Sequence, residues 1–233
     1  VRRLTGRPQP GRESTARSSS VAGVPARAPL PPVTLTGEHV RLEPLARDHV
    51  DALTDAALAD RATFTWTTVP ADRPAMERYV ETLLAAHADA EVLPFAQVRV
   101  ATGEVVGCTR YLEPRWFTGR ELPDEIEIGG TWLAAAAQRT AVNTEAKLLL
   151  FTHAFEVYEV WRVALVTDVR NARSRAAIER VGAQFEGVLR NHRLSAPSGT
   201  DSGPRPRDTA VYSITREEWP GVKTRLHATL GRA

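Results

Sequence analysis

The sequence predicts a mixed α/β fold, one sheet of about seven strands flanked by four or five helices. Three observations carry that expectation. Apolar residues recur at helical spacing in stretches that open on cap-type residues, after Asp72 and after Asn143. Residues 124–133, 161–167 and 209–214 read as strands. In the second half the two patterns interleave, which disfavours a sandwich or a helical bundle.

Taken in order, residues 1–32 are rich in Arg, Ser, Pro and Gly, lack apolar periodicity and end in Leu30-Pro31-Pro32, as expected of a disordered tail. An organelle-targeting segment would share the Arg- and Ser-rich, acid-poor character, but the prolines oppose the amphipathic helix it needs. The folded domain is expected over 33–233. Residues 33–36 and 40–44 read as a strand pair around Gly37, and Asp48 as the cap of a helix carrying Val50, Leu53 and Ala57. A second helix starts at Asp72, with Pro74 in its first turn and Met76, Tyr79, Val80, Leu83 and Leu84 along one face. Segments 95–100 and 105–112 flank Thr102-Gly103, a hairpin signal, and 114–123 reads as a loop. The strand at 124–133 leads to a helix over 143–158, with Leu148, Phe151, Phe155 and Tyr158 inward and His153 on the polar side. After the strand at 161–167, Asn171 caps a helix that Gly182 ends. Strands at 185–189 and 209–214 enclose a Ser/Gly/Pro-rich segment, roughly 195–206, expected to be mobile. Thr215-x-x-Glu218 is a capping-box pattern for a last helix, which Pro220 would alternatively start.

Composition narrows the functional classes. No apolar run reaches bilayer length, so a membrane role is not expected. The single cysteine, Cys108, excludes an intramolecular disulfide and any multi-Cys zinc site, and fits a reducing, cytoplasmic compartment. Six histidines show no paired metal-ligand spacing, so no metal is expected. The sequence pI near 9.0 suggests a nucleic-acid partner only at first sight. Residues 1–32 hold six arginines and one acid, which leaves the remainder with a formal net charge of −3. The basicity belongs to the tail, and the body offers no basic face that would demand DNA or RNA.

Residues 125–187 concentrate the chemistry. A strand carrying Glu125 and Glu127 runs into the polar loop Gln138–Asn143, which opens a helix; a second strand leads to a second capped helix. Unpaired N–H groups at such a helix start, aided by the helix dipole and by Arg139, suit a phosphate or pyrophosphate. A plain strand-to-helix connection with Asn143 as N-cap is the alternative. His192, between Arg190 and Arg193, is a candidate base or a solvated strand end. Cys108 reads as a small buried hydrophobe. Trp116 and Trp132 read as packing or pocket walls.

The run Glu127-Ile-Gly-Gly-Thr-Trp-Leu133, then Gln138-x-x-x-x-Asn143-Thr-Glu-Ala146, then Asn171-x-x-Ser174-x-x-x-Ile178-x-x-x-Gly182-Ala183-x-x-Glu186-Gly187, resembles the GCN5-related N-acetyltransferase superfamily. Within it the chain most resembles the ribosomal-protein N-terminal (alanine and serine) acetyltransferases. Val40-Arg-Leu-Glu-Pro-Leu45 and the late Arg190-Asn-His192 and Asp208-Thr-x-Val-Tyr-Ser-Ile214 are also similar to that branch, so the likeness spans about 33–225.

The resemblance implies a single-domain, mostly antiparallel mixed sheet and an acetyl-CoA-dependent acyltransferase. A primary amine, either a peptide N-terminus or a small amine, would attack the thioester directly. The family's pyrophosphate loop maps onto Gln138, Arg139, Thr140, Ala141, Val142, Asn143 and Thr144, with Ala141 and Asn143 departing from its small-residue pattern. The preceding strand splays open in the family, and its backbone, here about Trp132, Leu133 and Ala134, pairs with the pantetheine arm. Glu127 is the implied base, through a water, with Glu125 as substitute on the same face. A backbone N–H near Leu133 would stabilise the oxyanion. Ile178 falls where many members carry a thiolate-protonating tyrosine, which leaves Ser174 and Asn171 as nearby hydrogen-bonding groups. Related enzymes often pair, so a homodimer is a further expectation. The altered loop and missing tyrosine motivate an alternative, a catalytically silent acyl-CoA-binding module; the Arg-rich tail motivates a third, nucleic-acid-linked role.

Overall fold

A computed structural model describes residues 27–195 and 205–232. Most of the expected tail, and residues 196–204 of the segment expected to be mobile, lie outside the described residues. The strands are β1 (Leu35–Thr36), β2 (Val40–Pro44), β3 (Val92–Arg99), β4 (Val105–Arg115), β5 (Glu125–Leu133), β6 (Arg162–Asp168), β7 (Gln184–Ser195) and β8 (Arg205–Thr215). The helices are α1 (Val50–Leu58), α2 (Arg73–Ala88), α3 (Ala141–Glu156), α4 (Ala172–Arg180) and α5 (Trp219–Leu230). All strands join one sheet in the order β1-β2-β3-β4-β5-β6-β8-β7. Every pairing is antiparallel except β5 with β6, which the α3 crossover makes parallel. The sheet has eight strands rather than about seven, the two-residue β1 being the smallest.

The two faces bury separate cores. Helices α1 and α2 cover one, where Leu53, Met76 and Val80 meet Ala96, Cys108 and Trp132. The other takes Phe151 and Phe155 of α3, Ile178 of α4 and Trp219 of α5 against Tyr111, Ile126, Ile128 and Tyr212. Leu30, counted with the tail at the sequence level, is 6% exposed and packs in this second core; its carbonyl meets His87 Nε2 at 2.9 Å.

Local rules set most of the boundaries. The Asp72 side chain accepts the Ala75 N–H at 2.7 Å, and Pro74 sits where its missing N–H costs nothing. Glu218 accepts the Thr215 N–H at 2.8 Å, and α5 starts at Trp219 with Pro220 in its first turn, so both readings of that segment contribute. Four expectations are corrected. Asp48 lies in a 3-10 turn (Arg47–His49), and α1 follows without a side-chain cap. Helix α3 begins at Ala141, capped by Thr140, so Asn143 sits in its first turn. His153 is 8% exposed rather than solvent-facing, because it turns to the sheet side of α3, its ring 6.1 Å from Tyr111 of β4 and 4.4 Å from Tyr158. Strands β7 and β8 outrun their expected ends because each satisfies the other's backbone, with a register shift between Leu189 and Arg193.

Helix α3 is tied to the sheet edge by a buried carboxylate. Glu145, 6% exposed, accepts the N–H groups of Glu38, His39 and Val40 at 2.8, 2.6 and 2.7 Å. Gly37 makes room for it, since a Cβ there would overlap the carboxyl group. Gly37→Ala is therefore expected to destabilise the protein by about 2–4 kcal/mol, through the displaced carboxylate and three unsatisfied amides. Urea unfolding measures this, and an unchanged midpoint would show that the turn relaxes freely.

Candidate functional site

The site begins where the sheet opens. Strands β5 and β6 pair only at Glu125–Arg162, Ile126–Val163 and Glu127–Ala164, yet β5 runs on to Leu133 and β6 to Asp168. Beyond Glu127 they diverge into a cleft in the middle of the sheet. Gly129, Gly130 and Thr131 are partly exposed, unusual for a central strand and a direct sign of that opening. A bulge sharpens it: pairing with β4 shifts between Cys108 and Arg110, and Gly130 takes a φ of +57°.

Strand alternation decides which backbone groups face the cleft. Ala134 gives its N–H to Val106 O at 2.8 Å, and Trp132 O lies 3.3 Å from Gln97 Nε2, so both residues turn toward β4 and β3. Leu133 turns the other way. Its carbonyl accepts from Gln138 Nε2 at 2.9 Å, and its N–H faces the open side. Of the three strand residues expected to meet a pantetheine arm, only Leu133 presents its backbone to the cleft. The Trp132 ring packs edge-on against Phe64, 5.9 Å between centroids, as a wall.

The loop at the cleft's far end is built for a tight entry into α3. Gln138 is extended, Arg139 takes a left-handed φ of +61°, and Thr140 caps the helix, accepting the Val142 N–H at 3.3 Å and donating to Ala137 O at 2.8 Å. Ala141 lies inside the helix at negative φ, so the missing glycine strains nothing there. The N–H groups of Ala141 and Asn143 belong to the first turn and have no intrahelical acceptor. Arg173 of α4 reaches this loop, donating to Gln138 Oε1 at 3.3 Å and to Thr63 O at 2.5 Å. The α1–α2 connection is thereby drawn over the cleft end, helped by Arg170, whose guanidinium stacks on Trp66 at 4.9 Å.

Glu127 sits at the cleft's apex, the last paired residue of β5, and is 6% exposed. Arg193 of β7 grips it with two bonds, Nη2–Oε2 at 2.9 Å and Nη1–Oε1 at 3.2 Å. Burial pushes the carboxyl up; Arg193 pulls it back only in part, so the net direction is upward. Glu125 shares the face but is held by Arg162 at 2.5 Å, which also binds Glu186. The α4 candidates divide. Asn171 Oδ1 caps the helix by accepting the Ser174 N–H at 3.0 Å, whereas the half-buried Ser174 hydroxyl has no protein partner among the described residues. Ile178, at the tyrosine position, is 9% exposed and part of the core.

Three groups escaped the sequence reading. Arg193 reaches Glu127 from 66 positions away, which no spacing rule reveals. Lys147, 7% exposed, donates to Thr131 Oγ1 at 2.8 Å, and that hydroxyl meets Thr109 Oγ1 at 2.8 Å. Burial alone drives the Lys147 amine down to about 7. Arg110 lies half-buried against Gly130. Cys108, by contrast, is fully buried, its thiol pushed up to about 11, and has no nucleophilic character. His192 is exposed beside the β7 irregularity, next to Arg193 in the chain.

An open parallel pair, a helix N-terminus at the cleft's end and a carboxylate at its apex make up the candidate site. The chain belongs to the GNAT acetyltransferase family: the family model described as "Acetyltransferase (GNAT) domain" matches residues 39–184. The Bacillus subtilis protein described as "Putative ribosomal N-acetyltransferase YdaF" is 35% identical over 94 residues, 40% of this chain and 48% of that protein. The match thus spans about half the length of that relative. A GCN5-related N-acetyltransferase from Brucella melitensis is 32% identical, covers 88% of each chain and superposes with a TM-score of 0.74. Mycobacterium smegmatis RimJ, solved with CoA-disulfide, shares the fold with a TM-score of 0.70 at 23% identity over 87% of this chain and 97% of its own. The chain is accordingly an acyltransferase of a family that uses acetyl-CoA.

Proposed function

We propose that this chain transfers an acetyl group from acetyl-CoA to a primary amine by direct attack, the acceptor being a peptide N-terminus or a small amine. The observation that carries the reading is the divergence of β5 and β6 immediately beyond Glu127. It gives an extended ligand arm a strand edge to pair with, and ends its path at a carboxylate. The first-turn N–H groups of α3, with Arg139, would hold the pyrophosphate. The Leu133 backbone would pair with the arm. An ammonium acceptor would lose its proton to Glu127 through a water. Its nitrogen then attacks the thioester carbon, the C–N bond forms, and the C–S bond breaks to release CoA thiolate, while the nitrogen's second proton passes through solvent to the departing sulfur. A β5 backbone N–H stabilises the tetrahedral oxyanion. With Ile178 in the tyrosine position, thiolate departure relies on Ser174 and on solvent.

One observation favours the alternative of a silent acyl-CoA-binding module: the two-bond grip of Arg193 on Glu127, which an acceptor must share or displace. Thiol release from acetyl-CoA across a panel of amines and short peptides separates the two. Amine-dependent release well above spontaneous hydrolysis is expected, with a peptide N-terminus among the best acceptors, as the resemblance to ribosomal-protein acetyltransferases suggests. Tight CoA binding with no release over the whole panel would establish the silent module instead. A crystal soaked in CoA should show its diphosphate at Ala141–Thr144; density elsewhere would remove the basis of the assignment.

A further inference from the structure

Arg110 is an arginine without a counter-charge. Its guanidinium lies on β4 against the bulge, at the position a Cβ of Gly130 would take, so only glycine leaves room for it. Its one hydrogen bond runs from Nη1 to the Tyr79 hydroxyl of α2, long at 3.4 Å, and no carboxylate pairs with it among the described residues. Three other arginines near the cleft carry ion pairs, Arg193 with Glu127, Arg162 with Glu125 and Glu186, and Arg170 with Asp168. Arg139 and Arg173, without a carboxylate among the described residues, are exposed to water. A guanidinium drawn partly out of water with no anion beside it is costly, and such a charge persists where an anion arrives later. Burial keeps the neighbouring Tyr79 phenol neutral, a second donor rather than a competing negative charge.

Its position says where that anion would sit. Arg110 pairs across the sheet with Gly129, while Leu112 pairs with Glu127, so guanidinium and carboxylate share one face two positions apart. Glu127 Oε1 lies 3.1 Å from where a Gly129 Cβ would be. The two charges therefore border the Gly129-Gly130 floor, whose Cα atoms are about 3.8 Å apart. That floor is partly exposed in the cleft.

We propose that Arg110 seats a carboxylate carried by one of the two substrates, next to the reacting atoms: either the far end of a dicarboxylic acyl chain or a carboxylate on the acceptor amine. The planar fork of arginine suits two parallel bonds to a carboxylate. The inference rests on the acyl-transfer reading of the cleft.

The experiment compares kcat/KM for acetyl-CoA and succinyl-CoA with one neutral amine, and for a neutral and a carboxylate-bearing amine with acetyl-CoA, in the wild type and in Arg110→Gln and Arg110→Lys. The wild type is expected to favour the anionic member of one arm by about 10-fold or more, and the arm that responds identifies the source. Arg110→Gln should erase that ratio, while Arg110→Lys, with charge but no fork, should keep part of it. No preference in either arm, or an equal loss on all substrates in Arg110→Gln, would overturn the proposal. Binding of acetyl-CoA and succinyl-CoA, measured by calorimetry without turnover, keeps the two failures apart. CoA binding with turnover but no anion preference defeats the carboxylate seat alone, whereas no CoA binding at all defeats the reading of the cleft beneath it.

Discussion

Glu127→Gln is expected to lower kcat by about 10²–10⁴-fold while leaving CoA affinity within a few-fold, the usual scale for removing a general base that does not touch the cofactor. The substitution keeps the side-chain volume, and the amide oxygen still accepts from Arg193, so the fold should persist, as circular dichroism would verify. The pH profile is the more discriminating readout. Burial raises the Glu127 carboxyl above its usual range and Arg193 opposes the rise. A base works only when deprotonated, so kcat/KM should fall as pH drops through this raised value. Arg193→Gln removes the opposing guanidinium, which moves that acid limb to higher pH. Glu125→Gln, which breaks only the pairs with Arg162 and Arg115, is the control. If it removes the acid limb and Glu127→Gln does not, the role passes to Glu125.

The site was legible in the sequence to the extent that its chemistry is local. The order of strand, polar loop and capped helix is written in consecutive residues, and the Asp72 and Asn171 caps follow from single side chains. Where two cap-type residues stand three apart, as Thr140 and Asn143 do, composition does not choose between them. The structure chooses Thr140 because Arg139 adopts a left-handed φ, which turns the chain one step earlier. Periodicity also assumes one wet face per helix. Helix α3, covered by the sheet and by α5, has none over most of its length, so His153 and Lys147 were misplaced or overlooked. The charges that set the apex, Arg193 on Glu127 and Arg162 on Glu125, come from strands remote in sequence. Long-range register carries that information, and one sequence does not display it.

Lys147→Met is expected to stabilise the protein at pH 7 by about 2–4 kcal/mol, against the usual sign for a buried substitution. The Lys147 amine is buried; among the described residues its only hydrogen bond is to the Thr131 hydroxyl, and no carboxylate offsets its charge. Its folded value near 7 compares with about 10.4 for a free lysine. Between those values the unfolded chain holds one more proton than the folded one, so stability rises with pH across that window. Conversely, stability is lost as pH falls toward 7, and below 7 the penalty is complete and flat. Met retains most of the stem and has nothing to protonate, so the variant should lack the rise between pH 7 and 10. Thr131 loses a donor but keeps Thr109, which limits the offset. Urea unfolding of both proteins across pH 6–10 tests this; parallel curves would mean that the amine stays charged and solvated. Thr131 is also partly exposed where the strands part, so the titratable amine lies one hydroxyl behind the cleft wall. A more stable but slower Lys147→Met would show the chain giving up stability for a titratable group at that wall; a more stable variant of undiminished rate would make Lys147 a packing residue alone.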